Sequence, residues 1–278
     1  MTKYLFDNSV IDITIFLLGL FLLGRWLLTT SFGRRSLDNS RERTNYMPPV
    51  TPWFFLLLWF CVYMLVAHAV SSYTQESSPQ RIFLQTLLQI FTNIAVAIAI
   101  LIYVRRYFSK GLNGFGFDHS KIGKDLLCAV GYFIAMLPLV FAAIRLILIF
   151  GRLIISKDFQ IEPHEQLKLI VSYTQPSIRI AILVSGAIIT PFFEEILFRG
   201  LVQNSIRNML NKPWPAIFIS SAIFTFLHPN VHWLAIYVVG LFLGYAYEKS
   251  GSLYRSIFLH AIFNGFTIIA VMTQSPPQ

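Results

Sequence analysis

Charge is scarce in this chain. Only 13% of its 278 residues are charged, and 13 Asp and Glu are outnumbered by 22 Lys and Arg. An ordinary soluble domain carries roughly 25%, and with 55% of residues hydrophobic a soluble class is excluded. Cysteine is nearly absent. Cys61 and Cys128 both fall inside apolar segments, where they read as small core hydrophobes and leave no disulfide framework. No glycine-rich loop leads from a strand into a helix with the Lys and Ser/Thr of a phosphate cradle. The run 111–117 instead has the glycine spacing of a tight surface turn. Internal repeats and low-complexity tracts are also missing, and the first apolar run lacks a small-residue cleavage site, so it reads as a span and not a signal peptide.

What the chain has is apolar runs. A bilayer core of roughly 30 Å needs about 20 apolar residues to cross, and such stretches recur at 10–29, 52–70, 82–104, 126–150, 178–200, 214–228, 232–247 and 253–272. They predict an all-α polytopic transmembrane helical bundle of about eight spans, one integral membrane domain. Residues 1–177 supply the N-terminal helices and loops, and 178–272 supply a helical core. The net charge of +9 does not point to nucleic acid, because the basic residues sit in short loops. With both termini outside, the inner loops hold thirteen of them, including Arg34, Arg41, Arg43, Arg207, Lys212, Lys249 and Arg255, and the outer segments hold six, beginning with Lys3. This is the orientation that the positive-inside rule favours. The tail beyond Thr273, with Pro276 and Pro277, does not continue a helix.

The last third places polar groups where they are costly. Glu194-Glu195-Ile196-Leu197-Phe198-Arg199-Gly200 lies inside an apolar run, and ionisable groups in a span are a functional-site hypothesis by default. Glu195 and Arg199 are an i,i+4 pair with the acid first, the favourable order. Glu194 is rotated about 100° away. The expected division of labour has Arg199 neutralising Glu195 and Glu194 facing a cavity. Phe224 with His228, and His260 with Asn264, form two more i,i+4 pairs on separate apolar helices. A carboxylate, two imidazoles and an amide in one dry pocket supply the base and the donors that peptide hydrolysis needs. The same atoms offer a second use, since two His and one Glu are a zinc ligand set.

Other candidates carry less. A lone membrane histidine such as His68 is a packing residue, and His119, His164 and His232 belong to loops or interfaces. His232 follows His228 by four, yet the acid of a metalloprotease helix is missing between them, and Pro229 and Asn230 break the helix there. Arg145 reads as snorkelling.

These motifs resemble the CPBP family of intramembrane proteases, which includes the type II CAAX prenyl endopeptidases and bacteriocin-processing and immunity proteins. Glu194, Glu195 and Arg199 match its EExxxR element, Phe224 and His228 its FxxxH element, and His260 and Asn264 its HxxxN element, in the family's order. The resemblance covers 178–270. It implies an intramembrane endopeptidase in which Glu194 activates water, His228, His260 and Asn264 support the transition state, and Glu195, Arg199 and Phe224 shape the site. It implies a hydrophobic or lipidated peptide substrate in the lipid bilayer of a bacterial cytoplasmic membrane. No cofactor is certain. Zinc is the candidate, with His228 and His260 as its ligands only if a metal is used. A noncatalytic membrane partner, such as an immunity protein or a sensor regulator, is the alternative.

Straight spans would put Glu194 and His228 at opposite faces. A shared site therefore requires the fifth helix to run past Arg199 toward Met209, and the segment ending at His228 to stop in mid-membrane. The break at Pro229 would then line a cavity, and Pro191 is expected to kink the fifth helix.

Overall fold

The computed structural model describes residues 10–40, 43–75, 78–161, 165–228 and 232–274. Lys3, Arg41, His164, Pro229, Asn230 and the Pro276–Pro277 tail lie outside them. Among the described residues the chain forms α1 (Val10–Thr29), α2 (Thr51–Tyr73), α3 (Pro79–Tyr107), α4 (Gly111–Phe115), α5 (Ile122–Ile154), α6 (Glu165–Ser172), α7 (Pro176–Leu210), α8 (Pro213–Phe226), α9 (Trp233–Ser250) and α10 (Leu253–Gln274). Local chemistry sets several ends. Ser78 accepts the Arg81 N–H at 3.1 Å ahead of Pro79 at the first turn of α3. Asn211 takes a left-handed conformation to close α7, and Gly251 does the same for α9.

The protein is an integral membrane helical bundle. Helices α2, α3, α5, α7 and α10 are long and apolar enough to cross a membrane, and most of α1 is a shorter apolar helix. Their outward faces are apolar, as Trp53, Leu57, Phe60 and Leu65 on α2 show. Because lipid is as apolar as the side chains, close packing and buried hydrogen bonds hold such helices together. In α5, Pro138 has no N–H for the carbonyl of Ile134 one turn earlier. Gly19 of α1 packs on that spot, where a Cβ would stand 2.5 Å from the carbonyl oxygen.

Two of the eight expected spans need correction. The segment 214–228 forms a 14-residue helix, roughly 21 Å long, and 232–247 lies in α9, which runs back toward the basic end. Helices α8 and α9 are thus the arms of a hairpin. The register proves the direction of α9. Arg199 Nη2 donates to Gly240 O at 3.2 Å, Gln203 Nε2 to Gly244 O at 3.1 Å, and Arg207 Nε to Glu248 at 3.2 Å. Three successive turns of α7 therefore meet three successive turns of α9, running parallel. Gly240 and Gly244 permit the approach, since a Cβ on Gly244 would stand 2.8 Å from the Gln203 side chain.

Charges at this end also differ from expectation. Arg43, Arg207 and Arg255, read from the sequence as loop charges, are buried. Arg43 and Arg207 both approach Glu248, at 3.6 and 3.2 Å, and Arg255 pairs with Asp125 at 2.7 Å. Lys249 donates to Ser36 O, pinning the segment after α1 to the end of α9. The run 111–117 is not a surface turn. It forms α4 and sends Phe115 wholly into the core against Gly200. Cys61 is exposed on the outer face of α2 and is not a core residue.

Candidate active site

Helix α7 is the spine of the site. It is α-helical from Pro176 to Val184, widens into a π-helical turn at Ser185–Ile189, tightens at Thr190–Glu195, and widens again at Ile196–Gln203. Such π segments are rare and concentrate at functional sites. The first has a visible cause. In the i→i+5 pattern the Thr190 N–H bonds Ser185 O, so the next bond, to Gly186 O, would fall to Pro191, which has no N–H. Asn264 of α10 fills that place, donating its amide Nδ2 to Gly186 O at 2.8 Å. The expected distortion at Pro191 is thus a wide turn sealed by a motif residue.

A second polar chain fixes the turn before the glutamates. Trp59 Nε1 of α2 donates to Asn93 Oδ1 of α3 at 2.9 Å, and Asn93 Nδ2 donates to Thr190 Oγ1 at 3.3 Å. Thr190 stands one helical turn before Glu194.

The expected length of the fifth helix is observed, since α7 continues to Leu210. From Leu210 back to Glu194 is 16 residues, roughly 24 Å, and α8 climbs back about the same distance to His228. The two side chains meet. His228 Nε2 lies 3.8 Å from Glu194 Oε1, and His260 Nε2 lies 3.8 Å from Glu194 Oε2. Phe224 packs between them, its ring centroid 4.3 Å from that of His228 and 5.9 Å from that of His260. The Glu194 side chain is 16% exposed and that of His228 25%, while Glu195 and Arg199 are at 0%. Glu194 is therefore partly exposed and Glu195 is not, as their 100° separation allows.

Arg199 Nε reaches Glu195 Oε2 at 3.3 Å, and its guanidinium lies 4.7 Å from the Phe224 ring centroid. Glu195 does more than pair with it. Its Oε1 accepts from His260 Nδ1 at 3.0 Å, a contact the sequence spacing does not reveal because the two residues lie 65 apart. His228 Nδ1 meets the carbonyl of Phe224 at 2.7 Å. A carbonyl and an ionised carboxylate only accept, so both imidazoles carry a proton on Nδ1 and turn Nε2 toward Glu194.

The chemistry of two Nε2 atoms and a carboxylate is that of a zinc site, and each ring has the outer partner such ligands use. Among the described residues no group of three or more His, Cys, Asp and Glu is placed to hold one ion, and no step below passes through a metal.

Four further residues belong to the supporting structure. Gln203 and Glu248 extend the Arg199 ladder, and Gly240 and Gly244 receive it. The GxxxG spacing of the two glycines was the readable signal for this interface. Gly200 has a steric role, since a Cβ there would stand 2.1 Å from the Phe115 ring. His232 is buried at the start of α9, and Arg145 lies 4.9 Å over Phe141 on the bundle exterior.

Comparison with known proteins covers the helices that carry this site. The family described as type II CAAX prenyl endopeptidase Rce1-like matches residues 176–266, which hold α7, α8, α9 and the part of α10 bearing His260 and Asn264. A Bacillus subtilis (strain 168) protein named "Putative membrane peptidase YdiL" is 26% identical over 198 residues, covering 70% of this chain and 75% of its own. No solved structure gives a significant match. With Glu194, His228 and His260 brought to one point and both comparisons naming membrane peptidases, the chain is similar to the CPBP type of membrane protease over residues 176–266.

Proposed function

We propose that this protein is an endopeptidase that hydrolyses a peptide bond in a membrane-associated or hydrophobic peptide, with water activated by Glu194. The observation that carries the reading is the convergence of both Nε2 atoms on one carboxylate at 3.8 Å. That gap is too long for a direct hydrogen bond and suits one bridging water. Such a water donates one hydrogen to Glu194 and the other to His228 Nε2. As Glu194 takes the first proton, the water oxygen bonds to the scissile carbonyl carbon. A doubly protonated His260, its Nδ1 held by Glu195 at 3.0 Å, donates from Nε2 to the developing oxyanion, and Asn264 takes part by holding the wide turn of α7 at Gly186 O. Collapse breaks the C–N bond, and the proton on Glu194 passes to the leaving nitrogen.

The Rce1-like match supports a prenylated or otherwise lipidated peptide as substrate, and the Bacillus relative supports a bacterial cytoplasmic membrane. Purified protein in lipid vesicles is to be assayed on quenched hydrophobic and lipidated peptides, comparing the parent with Glu194→Gln, with and without chelator. The expected outcome is loss of roughly a hundredfold or more of the cleavage rate in the variant and no effect of chelator. Equal cleavage by a folded Glu194→Gln protein would transfer the site to the noncatalytic reading, and loss under chelator restored by Zn²⁺ would replace the glutamate mechanism.

A further inference from the structure

An open polar pocket lies away from the catalytic residues, at the basic end of the bundle. It has a volume of about 380 Å³ and is lined by Arg34, Asp38, Ser40, Arg207, Lys212 and Trp214 among others. Its walls come from two sources, the segment after α1 and the turn where α7 ends and α8 begins. Arg34 and Lys212 are exposed and have no ion-pair or side-chain hydrogen-bond partner among the described residues. Arg207, engaged with Glu248, forms the floor. Two cations, with the Arg207 guanidinium already shared with Glu248, thus line the pocket beside one carboxylate, Asp38. Ser40 Oγ is buried with no hydrogen-bond partner among the described residues. The apolar wall is rigid, because Trp214 stacks on Tyr245 at 5.9 Å and Tyr245 accepts from Trp26 Nε1 at 2.8 Å.

A compact anion with several acceptor oxygens suits this set, since a guanidinium, an ammonium and a hydroxyl converge from separate segments. Pro213 and Pro215 remove two N–H groups from the first turn of α8, so side chains must do the holding. We infer that the cavity binds a phosphoryl group, from an anionic lipid headgroup or from phosphate in solution. Its position argues for a consequence. The turn at 210–213 joins the helix of Glu194 to the helix leading to His228, so an anion held there ties both to the segment after α1. Occupancy therefore stiffens the frame of the catalytic site from a distance.

The test reads thermal unfolding of the full chain in neutral detergent, and so stands apart from whether the protein is a peptidase. Phosphatidylglycerol, phosphatidylcholine and inorganic phosphate are titrated separately. The proteins are the parent, R34Q/K212Q, and R105Q/R106Q, which removes the same charge from exposed residues at the same end of the bundle and away from the cavity. The midpoint of the parent and of R105Q/R106Q is expected to rise with phosphatidylglycerol more than with phosphatidylcholine. R34Q/K212Q should need roughly thirtyfold more of it. A rise with the lipid alone identifies a headgroup, and a rise with inorganic phosphate as well identifies the free anion. The inference falls if no titrant moves the parent, if phosphatidylcholine matches phosphatidylglycerol, if R34Q/K212Q responds like the parent, or if R105Q/R106Q loses as much.

Discussion

The pair Glu195 and Arg199 allows fold and chemistry to be separated by substitution. Both side chains are fully buried and 3.3 Å apart. Removing one partner strands the other charge, which costs about 3–5 kcal/mol. Arg199→Met should fall in this range, with the lost bond to Gly240 O included, and Glu195→Gln should fall near it. The double variant Glu195→Gln/Arg199→Met removes both charges of the pair together, and neutral replacement of a buried pair is often close to harmless. It should therefore regain about 2 kcal/mol or more over Arg199→Met, a coupling that marks direct contact. Cleavage should not return with it. Glu195 also holds His260 Nδ1 at 3.0 Å, and an amide in its place offers a neutral acceptor where the carboxylate offered a charged one. A loss of roughly 10²–10⁴ in rate should persist. Thermal unfolding in detergent and cleavage of a quenched peptide on the same preparations give the two readouts. If the double variant is as unstable as Arg199→Met, the pair is not what balances the buried charge. If its cleavage rate recovers along with its stability, Glu195 has no part in the chemistry beyond folding.

Two further outcomes follow from single contacts. Gly200→Ala drives a methyl to within 2.1 Å of the Phe115 ring and should cost about 1–3 kcal/mol; Phe115→Leu in the same chain should recover part of it, and an unfolding midpoint unchanged by Gly200→Ala would contradict the contact. Asn264→Ala leaves Gly186 O without its donor and should cost about 1–3 kcal/mol. In a Pro191→Ala background, where position 191 regains an N–H, that cost should shrink, and equal costs in the two backgrounds would remove the account given for the wide turn.

Much of this molecule was legible in its sequence, for physical reasons that differ by feature. Long apolar runs mark helices directly, so α2, α3, α5, α7 and α10 coincide with expected spans. Glu194, His228, His260 and Asn264 stood out because polar groups in apolar runs are costly, and the need for Glu194 and His228 to meet forced a long α7 and a short α8. What stayed hidden was set by contacts between distant residues. Nothing near Glu195 announces His260, and nothing near Arg43 announces Glu248, which lies 205 residues away. Arg207 and Arg255 were mistaken for solvated loop charges because residue type near a span end does not tell a snorkelling cation from a buried one. The α8–α9 hairpin was read as two spans because its arms are as apolar as true spans, and only their lengths in the folded chain, 14 and 18 residues, distinguish them.

The hairpin also sets the depth of the pair it delivers. Helix α8 rises 14 residues, roughly 21 Å, from the turn that closes α7, and stops just short of His228. Adding or removing one residue in it would shift His228 by about 1.5 Å along the axis and turn it by about 100°, enough to part Nε2 from the Glu194 carboxylate it now faces at 3.8 Å. The length of one short helix is thus a coordinate of the site.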